Sequence, residues 1–180
     1  MAIQPDKQTL EKLKMGDLAA FEAVFSFYEK AIYGYIYSMV GHKENAEDLT
    51  QETFLKLYKN AAAIDPENNF KNWLYKIATN TVYDWLRKKR KSMEMFIIDD
   101  EKSGFETIDE DSPYLHIEDG KDLEAALNKI KPNYRRALLL FYYEGMNYEE
   151  IANIMEVPLN TAKTHLRRAK EALKKIYLKK

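Results

Sequence analysis

The sequence of 180 residues contains no cysteine, few histidines and no long run of apolar residues. Without cysteine, neither a disulfide bond nor a thiolate metal site can form. His42, His116 and His165 lack the spacing of metal ligands, so we expect no metal and no cofactor. The longest apolar run, residues 137–143, is too short to span a bilayer, and no secretory signal pattern follows Met1. We therefore expect a cytoplasmic protein that does not insert into membranes.

Positive charge is concentrated in two segments, although the formal net charge of the chain is only −1. Residues 71–91 carry seven Lys and Arg against one acid, and residues 163–180 carry eight against one acid. Between them, residues 94–124 carry twelve acidic residues against two lysines. Basic patches of this kind indicate a protein that binds nucleic acid.

Apolar residues recur at helical spacing over most of the chain, which predicts an all-α fold. From residue 92 to 120 this periodicity fades and acids accumulate, which predicts an acidic, flexible linker. Two small helical domains, residues 1–91 and 121–180, would lie on either side of it. In the first domain, residues that can cap helices predict where four helices start: Thr9, Asp17, Asn45, and Asn68 or Asn69. Gly41 is expected to end the second helix, and the fourth helix is expected to end near Arg90.

The segment NYEEIANIMEVPLNTAKTHLRRAKEALKKIYL, residues 147–178, is the most informative part of the chain. It predicts a short helix, a tight turn at Glu156-Val157-Pro158 and a longer basic helix, which is the outline of a helix-turn-helix. Asn147 and Glu150 form a capping box for the first helix, and Asn160 is expected to cap the second. Helices at 121–130 and 133–144 would precede them.

The last helix offers polar side chains on the face opposite its apolar stripe. Ala162, Leu166, Ala169 and Leu173 form the inward stripe. The alternative to DNA recognition is a plain helical hairpin with a solvated basic face. The candidate DNA contacts are Asn160 and Thr161 at the helix start, followed by Lys163, Thr164, Arg167 and Arg168.

Residues 71–91 form a second basic helix, whose stripe suits an exposed nucleic-acid strand. Lys76, Asn80, Tyr83, Arg87 and Arg90 fall on one face. The alternative is that the aromatic residues of this helix belong to the core: Trp73, Tyr75, Tyr83 and Trp85. The core interpretation is favoured for Trp73 and Trp85, and phosphate contact is favoured for the cluster at residues 87–91.

A third helix, around residues 46–60, has an acidic outer face that also carries an apolar residue. Asp48, Gln51, Glu52 and Lys59 surround Leu55 on this face. Such a leucine is a weak sign of a partner surface, and periodicity alone favours a solvated face.

These segments, in this order, resemble the bacterial extracytoplasmic-function sigma factors, the two-domain minimal class of RNA polymerase specificity subunits. The resemblance covers GDLAAFEAVFSFYEK, AEDLTQETFLKLYKN, FKNWLYKIATNTVYDWLRKKR and YRRALLLFYYEGMNYEEIANIMEVPLNTAKTHLRRAKEAL. It implies a factor that binds core RNA polymerase, recognises and melts promoter DNA, and starts transcription. The implied partners are the clamp helices of the largest polymerase subunit, the flap of the second-largest subunit, promoter DNA and, as is common in the family, an anti-sigma protein.

The resemblance also implies roles for individual positions. Residues 61–70 match the loop that captures a flipped base of the −10 promoter element. The matching polymerase-binding positions are Asp48, Leu49, Gln51, Glu52 and Leu55. The −10 positions are Asn69, Phe70, Lys76, Asn80, Asp84, Arg87, Lys88 and Arg90. The −35 positions are the six candidate contacts of the last helix.

Two other function classes are alternatives to this one. An autonomous helix-turn-helix regulator would bind duplex sites as a dimer, but it leaves the basic stripe at residues 71–91 and the Asp48 face unexplained. A helical enzyme could use Glu149 and Glu150, but these acids are explained by the first-turn preferences of a helix. We therefore expect no enzymatic activity.

Overall fold

The computed structural model describes residues 4–96 and 125–177 of the chain. All regular secondary structure within these ranges is helical, which confirms the predicted all-α class. The predicted linker beyond residue 96 lies outside the described residues, as do residues 121–124. The elements are α1 (Lys7–Lys14), α2 (Leu18–Val40), α3 (Lys43–Lys59), a 3₁₀ turn (Ala61–Ala63), α4 (Phe70–Phe96), a helical turn at 125–128, α5 (Pro132–Tyr142), α6 (Tyr148–Met155) and α7 (Leu159–Tyr177).

Aspartate side chains begin the first two helices. The Asp6 carboxylate accepts the N–H of Thr9 at 2.8 Å, so Thr9 lies inside α1 and the prediction that it caps the helix is wrong. The Asp17 carboxylate accepts the N–H of Ala20 at 2.8 Å, which confirms the predicted start of α2. Gly41 ends α2 with φ 69°, a left-handed conformation that glycine adopts without the steric penalty of a Cβ.

The boundaries of α3 and α4 differ in part from those expected. α3 begins at Lys43 after His42, which makes no side-chain capping bond, so Asn45 does not start the helix. The Asn69 side-chain oxygen accepts the N–H of Asn72 at 3.2 Å, which confirms Asn69 as a residue that opens α4. α4 continues past the predicted end near Arg90 to Phe96 and thus enters the segment predicted as linker.

The helix-turn-helix is built from α6 and α7. The Asn147 side chain accepts the backbone N–H groups of Glu149 and Glu150, and the Glu150 carboxylate accepts the N–H of Asn147, which confirms the capping box. Glu156 ends α6 in the left-handed conformation with φ 54°, which is uncommon for a residue other than glycine and forms the predicted turn.

The last two helix starts correct the sequence predictions. α5 runs from Pro132 to Tyr142 rather than from residue 133 to 144, because proline is tolerated in the first turn of a helix. α7 begins at Leu159, and the carbonyl of Pro158 accepts the N–H of Thr161 at 2.8 Å. Asn160 therefore lies within the first turn of α7 and does not cap it.

Apolar burial holds each group of helices together. In the first group, Ile32 and Ile36 of α2 meet Leu57 of α3 and Leu74 of α4, and all four side chains are fully buried. In the second group, Ala162, Leu166 and Ala169 of α7 are at most 2% exposed, as the predicted inward stripe requires. Burying a side chain the size of Leu or Ile contributes about 1.5–3 kcal/mol each.

The two groups of helices also pack against each other. α4 contacts α6, and α2 contacts α5, so the buried residues form one continuous cluster. Arg135 of α5 is only 2% exposed and donates hydrogen bonds to the carbonyls of Ser38 and Met39 at the end of α2, at 3.4 and 3.3 Å. Its guanidinium thus satisfies helix-terminal carbonyls that have no partner within α2.

Candidate polymerase and nucleic-acid interfaces

The outer face of α3 places the predicted polymerase-binding residues together, with one exception. Asp48, Gln51 and Glu52 are exposed, and Leu55 among them is 58% exposed. The Glu52 carboxylate lies 2.7 Å from Nζ of Lys56 one helical turn away. Leu49 is only 3% exposed, so its side chain packs in the core beneath this face and does not form part of it. Its role in polymerase binding stays a prediction.

A cavity of about 230 Å³ lies where the 3₁₀ turn meets α4. This volume is below the roughly 300–1,000 Å³ of pockets for drug-sized ligands, so it suits a single planar ring better than a nucleotide cofactor. The lining combines an indole side chain, two amides and a cation, which are groups that can stack on or hydrogen-bond a base. The lining residues are Asn60, Ala63, Trp73, Lys76, Ile77 and Asn80.

The loop between the 3₁₀ turn and α4 is held at both ends by buried residues. Ile64 is 2% exposed, and the Asp65 carboxylate accepts the N–H of Glu67 at 3.0 Å and the amide of Asn68 at 2.6 Å. Phe70 is 7% exposed and packs against Tyr28 and Trp73. Phe70, predicted to contact DNA, is therefore part of the core that supports the loop.

The polar stripe of α4 extends away from this cavity. Lys76 and Asn80 line the cavity, while Asp84 and Arg87 form an ion pair of 3.0 Å one turn further along. Lys88 is exposed. The side chain of Arg90 lies outside the described part of the chain.

The alternative interpretation of the α4 aromatics as core residues is supported, since Tyr75 lies in the core and Trp73, Tyr83 and Trp85 pack against it. The four differ in their exposure. Tyr75 is fully buried. Trp73 is partly exposed at the cavity, and Trp85 is partly exposed with Nζ of Lys89 5.3 Å from its ring centre. Tyr83 is partly exposed and donates a hydrogen bond to Asn133.

The predicted recognition helix presents most of its polar residues to solvent. Asn160, Lys163, Arg167 and Arg168 are exposed, whereas Thr161 and Thr164 are partly buried. Arg167 forms an ion pair of 2.5 Å with Glu171 on the same helix, and Arg168 donates a hydrogen bond of 2.9 Å to the hydroxyl of Tyr134. That hydrogen bond raises the pKa of Arg168 above its ordinary value, so the side chain stays charged.

Sequence reasoning missed two buried arginines. Arg136, next to Arg135, is 6% exposed, and its guanidinium carbon lies 4.2 Å from the ring centre of Tyr83 in α4. Leu139 and Leu140 follow the two arginines by one helical turn and are buried. This spacing is a signal that places both arginines on the inner side of α5.

Two further observations concern binding and location. Among the described residues, no group of three or more His, Asp or Glu side chains is arranged to hold a metal ion. Within the same ranges, each helix is either too short or too polar to cross a lipid bilayer.

Comparison with known proteins identifies related chains. Models of Sigma-70 region 2 and Sigma-70, region 4 match residues 24–92 and 120–173. The ECF RNA polymerase sigma factor SigW of Bacillus subtilis is 32% identical over 181 aligned residues, which cover 94% of this chain and 95% of SigW. SigM of the same organism is 33% identical, with 87% and 94% covered. The sigma factor RpoE of Bartonella quintana, solved with its anti-sigma factor NepR, gives a TM-score of 0.71 at 25% identity over 87% of this chain and 96% of that chain.

These similarities extend over both groups of helices, whereas an autonomous helix-turn-helix regulator would need only the second. Both Bacillus subtilis relatives are named as ECF RNA polymerase sigma factors, a family of transcription initiation factors that are not enzymes. The chain therefore belongs to the extracytoplasmic-function RNA polymerase sigma factors, which bind core RNA polymerase and promoter DNA and direct the initiation of transcription.

Proposed function

We propose that this sigma factor consists of two domains with separate binding roles. Residues 1–91 would bind core polymerase and the −10 element, residues 121–180 would bind the −35 element, and residues 92–120 would link them. The separation of the basic segments by acidic residues supports this division. Because one domain alone makes few DNA contacts, simultaneous binding depends on polymerase fixing the distance between the two, which is an effective-concentration argument.

The outer face of α3 is the proposed polymerase-binding surface. It consists of an exposed apolar side chain, Leu55, with Asp48, Gln51 and Glu52 around it. An apolar centre with a polar rim is the usual composition of a protein interface. The acids would also attract a basic partner surface and accelerate the encounter.

The cavity beside α4 is the observation that carries the proposal for the −10 element. A flipped base would stack on Trp73, and the amides of Asn60 and Asn80 would hydrogen-bond its polar edge. Unpairing and unstacking a base costs a free energy of a few kcal/mol, and stacking on an aromatic side chain offsets about 1–3 kcal/mol of it. Capture of a base in this cavity would therefore stabilise melted DNA.

Helix α7 is the proposed reader of the −35 element. Its exposed Lys163, Arg167 and Arg168 carry donors that suit guanine edges or phosphates in a major groove. Asn160, Thr161 and Thr164 lie near the helix start, where side chains of recognition helices reach the bases. Asn69, Asp84, Arg87, Lys88 and Arg90 would complete the DNA contacts of the first domain.

Location and further partners complete the proposal. We propose that the protein works in the cytoplasm, where its polymerase resides, and that the flap of the second-largest polymerase subunit contacts the second domain. RpoE of Bartonella quintana was solved in complex with the anti-sigma factor NepR, which supports an anti-sigma partner for this chain as well.

The polymerase-binding face is tested by run-off transcription with purified core polymerase on a pool of genomic promoters. The unmodified protein should produce new start sites. Glu52→Lys should reduce them at least about tenfold, which corresponds to roughly 1.4 kcal/mol of binding, because it places a cation where the partner is expected to be basic.

The matched control for this test is Glu22→Lys, which reverses an exposed charge on α2 away from the proposed surface. It should transcribe like the unmodified protein. Equal losses for the two variants, or no new start sites with the unmodified protein, would contradict the proposal.

A further inference from the structure

Tyr134, in the first turn of α5, contacts two residues of the proposed −35 reader. Its hydroxyl accepts a hydrogen bond from Nη1 of Arg168 at 2.9 Å, and the guanidinium carbon of Arg168 lies 5.9 Å from the centre of the Tyr134 ring. The centre of the same ring lies 5.3 Å from that of His165, one helical turn earlier on α7. Through Tyr134, α5 thus reaches the face of α7 that is proposed to meet DNA.

The fold holds Tyr134 in place. Its backbone N–H donates to the carbonyl of Lys131 at 2.9 Å, in the turn that Pro132 begins. Its ring is partly buried against the core, and α5 packs along α7. Because a tyrosine side chain has few rotatable bonds, a packed ring presents its hydroxyl at a defined point.

His165 supports the ring of Tyr134 from the side of α7. Burial, followed by the neighbouring charges of Arg136 and Arg168, lowers the pKa of His165 below its ordinary value. The imidazole is therefore mostly uncharged at neutral pH. It packs against Tyr134 at an interplanar angle of 54° as an aromatic ring, so Tyr134 is held by contacts with both helices.

The two adjacent arginines of α7 have different partners. Arg167 forms an ion pair with Glu171 one turn along the same helix, so its charge is partly neutralised within α7. Arg168 donates to the uncharged hydroxyl of Tyr134, so this contact does not neutralise its charge. Because Nη1 is the donor to Tyr134, the edge formed by Nε and Nη2 can bind both acceptors of a guanine.

We propose that Tyr134 is a positioning residue for base recognition: its hydroxyl fixes the Arg168 guanidinium in the orientation that binds a guanine of the −35 element. This inference rests on the proposed role of α7. A free arginine side chain samples many rotamers, and fixing one before binding removes part of the entropy that binding would otherwise cost. Because phosphate contacts carry no sequence information, loss of this orientation should appear as a loss of sequence preference.

The test measures base preference with the full chain bound to core polymerase. Duplex promoters with a randomised upstream element are bound, separated and sequenced, which gives the preference for each base at each position. Arg168→Ala should abolish a preference of about tenfold for guanine at one position. Tyr134→Phe, which removes only the hydroxyl, should reduce the preference at that same position about threefold and leave the other positions unchanged.

Further variants separate positioning from a general structural effect. Because Tyr134 is proposed to act through Arg168, the double variant Tyr134→Phe, Arg168→Ala should show the same preferences as Arg168→Ala alone. The matched control is Tyr142→Phe, which removes an exposed hydroxyl from the same helix and should bind the pool like the unmodified protein. The thermal unfolding midpoint of Tyr134→Phe should be unchanged, because the lost hydrogen bond is exposed.

Different results would contradict the two proposals. If Arg168→Ala loses its base preference while Tyr134→Phe keeps that of the unmodified protein, the positioning role is excluded and the role of α7 stands. An equal loss of binding to all sequences by Tyr134→Phe would also exclude positioning. If Arg168→Ala keeps every base preference, Arg168 does not read a base, and its proposed function and the positioning role fail together.

Discussion

At the scale of single residues, the arginines of α5 determine how the two groups of helices meet. Burial lowers the pKa of Arg135 to about 10, so it remains protonated at neutral pH. Its guanidinium donates hydrogen bonds to neutral oxygen atoms. These are the carbonyls of Ser38, Met39 and Ile130, and the side-chain oxygen of Asn128 at 2.8 Å. Hydrogen bonds to a charged group stabilise by about 1.5–3 kcal/mol.

Replacing Arg135 should destabilise the protein. We expect Arg135→Ala to lower the free energy of unfolding by about 2–3 kcal/mol, because the buried carbonyls at the end of α2 lose their donor. Urea denaturation followed by circular dichroism measures the change. Arg87→Ala, which removes an exposed arginine in an i,i+3 pair, should cost less than about 0.5 kcal/mol. A similar loss for both variants would show that the buried hydrogen bonds contribute nothing.

Local residue chemistry allowed some helix ends to be predicted and not others. Asp17, Gly41 and the Asn147–Glu150 capping box were predicted correctly, because each is the one suitable residue at its helix end. The prediction failed at Thr9, where Asp6 three residues earlier supplies the cap. Leu49 and Phe70, to which the family resemblance gives binding roles, are buried in the structure. A resemblance assigns a role to a position and does not say whether its side chain is exposed.

At the scale of elements, α6 has two functions in the fold. It is the first helix of the helix-turn-helix, and it also supplies the acids that contact α4. The helix has only eight residues, so its ends matter more than its interior propensity. The capping box at Asn147 therefore supports both the orientation of α7 and the contact between the groups of helices.

Removing this cap should loosen α6. We expect Asn147→Ala to lower the free energy of unfolding by about 1 kcal/mol, because the N–H groups of Glu149 and Glu150 lose their acceptor. The change should appear as a lower midpoint in thermal unfolding and as faster amide exchange in the first turn of α6. Asn153→Ala, on the exposed side of the same helix, should have little effect; equal shifts for both would contradict the capping argument.

Contacts between distant elements could not be predicted from the sequence. The helix-turn-helix was predicted because its signals lie within about thirty residues of one another. The bond between Asn72 and Glu150 joins residues 78 positions apart, and that between Arg135 and Ser38 joins residues 97 apart. Local periodicity does not identify such pairs, so the partners of Arg135 in α2 and of Arg136 in α4 could not be predicted from the sequence.

At the scale of the whole molecule, the two proposed DNA-binding faces differ in their surroundings. On α7, Lys163, Arg167 and Arg168 are exposed. On α4, Lys71, Lys76 and Tyr83 contact residues of the second group of helices, whereas Asn80, Arg87 and Lys88 are exposed.

The cavity beside α4 should affect melting more than initial binding. In the polymerase complex, we expect Asn80→Ala to reduce open complexes on a duplex promoter about tenfold, roughly 1.4 kcal/mol, because a captured base loses a hydrogen-bond partner. Permanganate footprinting measures the unpaired bases, and gel shift measures closed-complex binding, which should be unchanged. A template whose −10 region is already unpaired should recover most of the activity, since the cost of unpairing, a few kcal/mol, is then absent.

Asn153→Ala serves as the control on an exposed asparagine outside the cavity. Weaker closed-complex binding by Asn80→Ala, with no additional loss of melting, would mean that Asn80 contacts duplex DNA rather than a captured base.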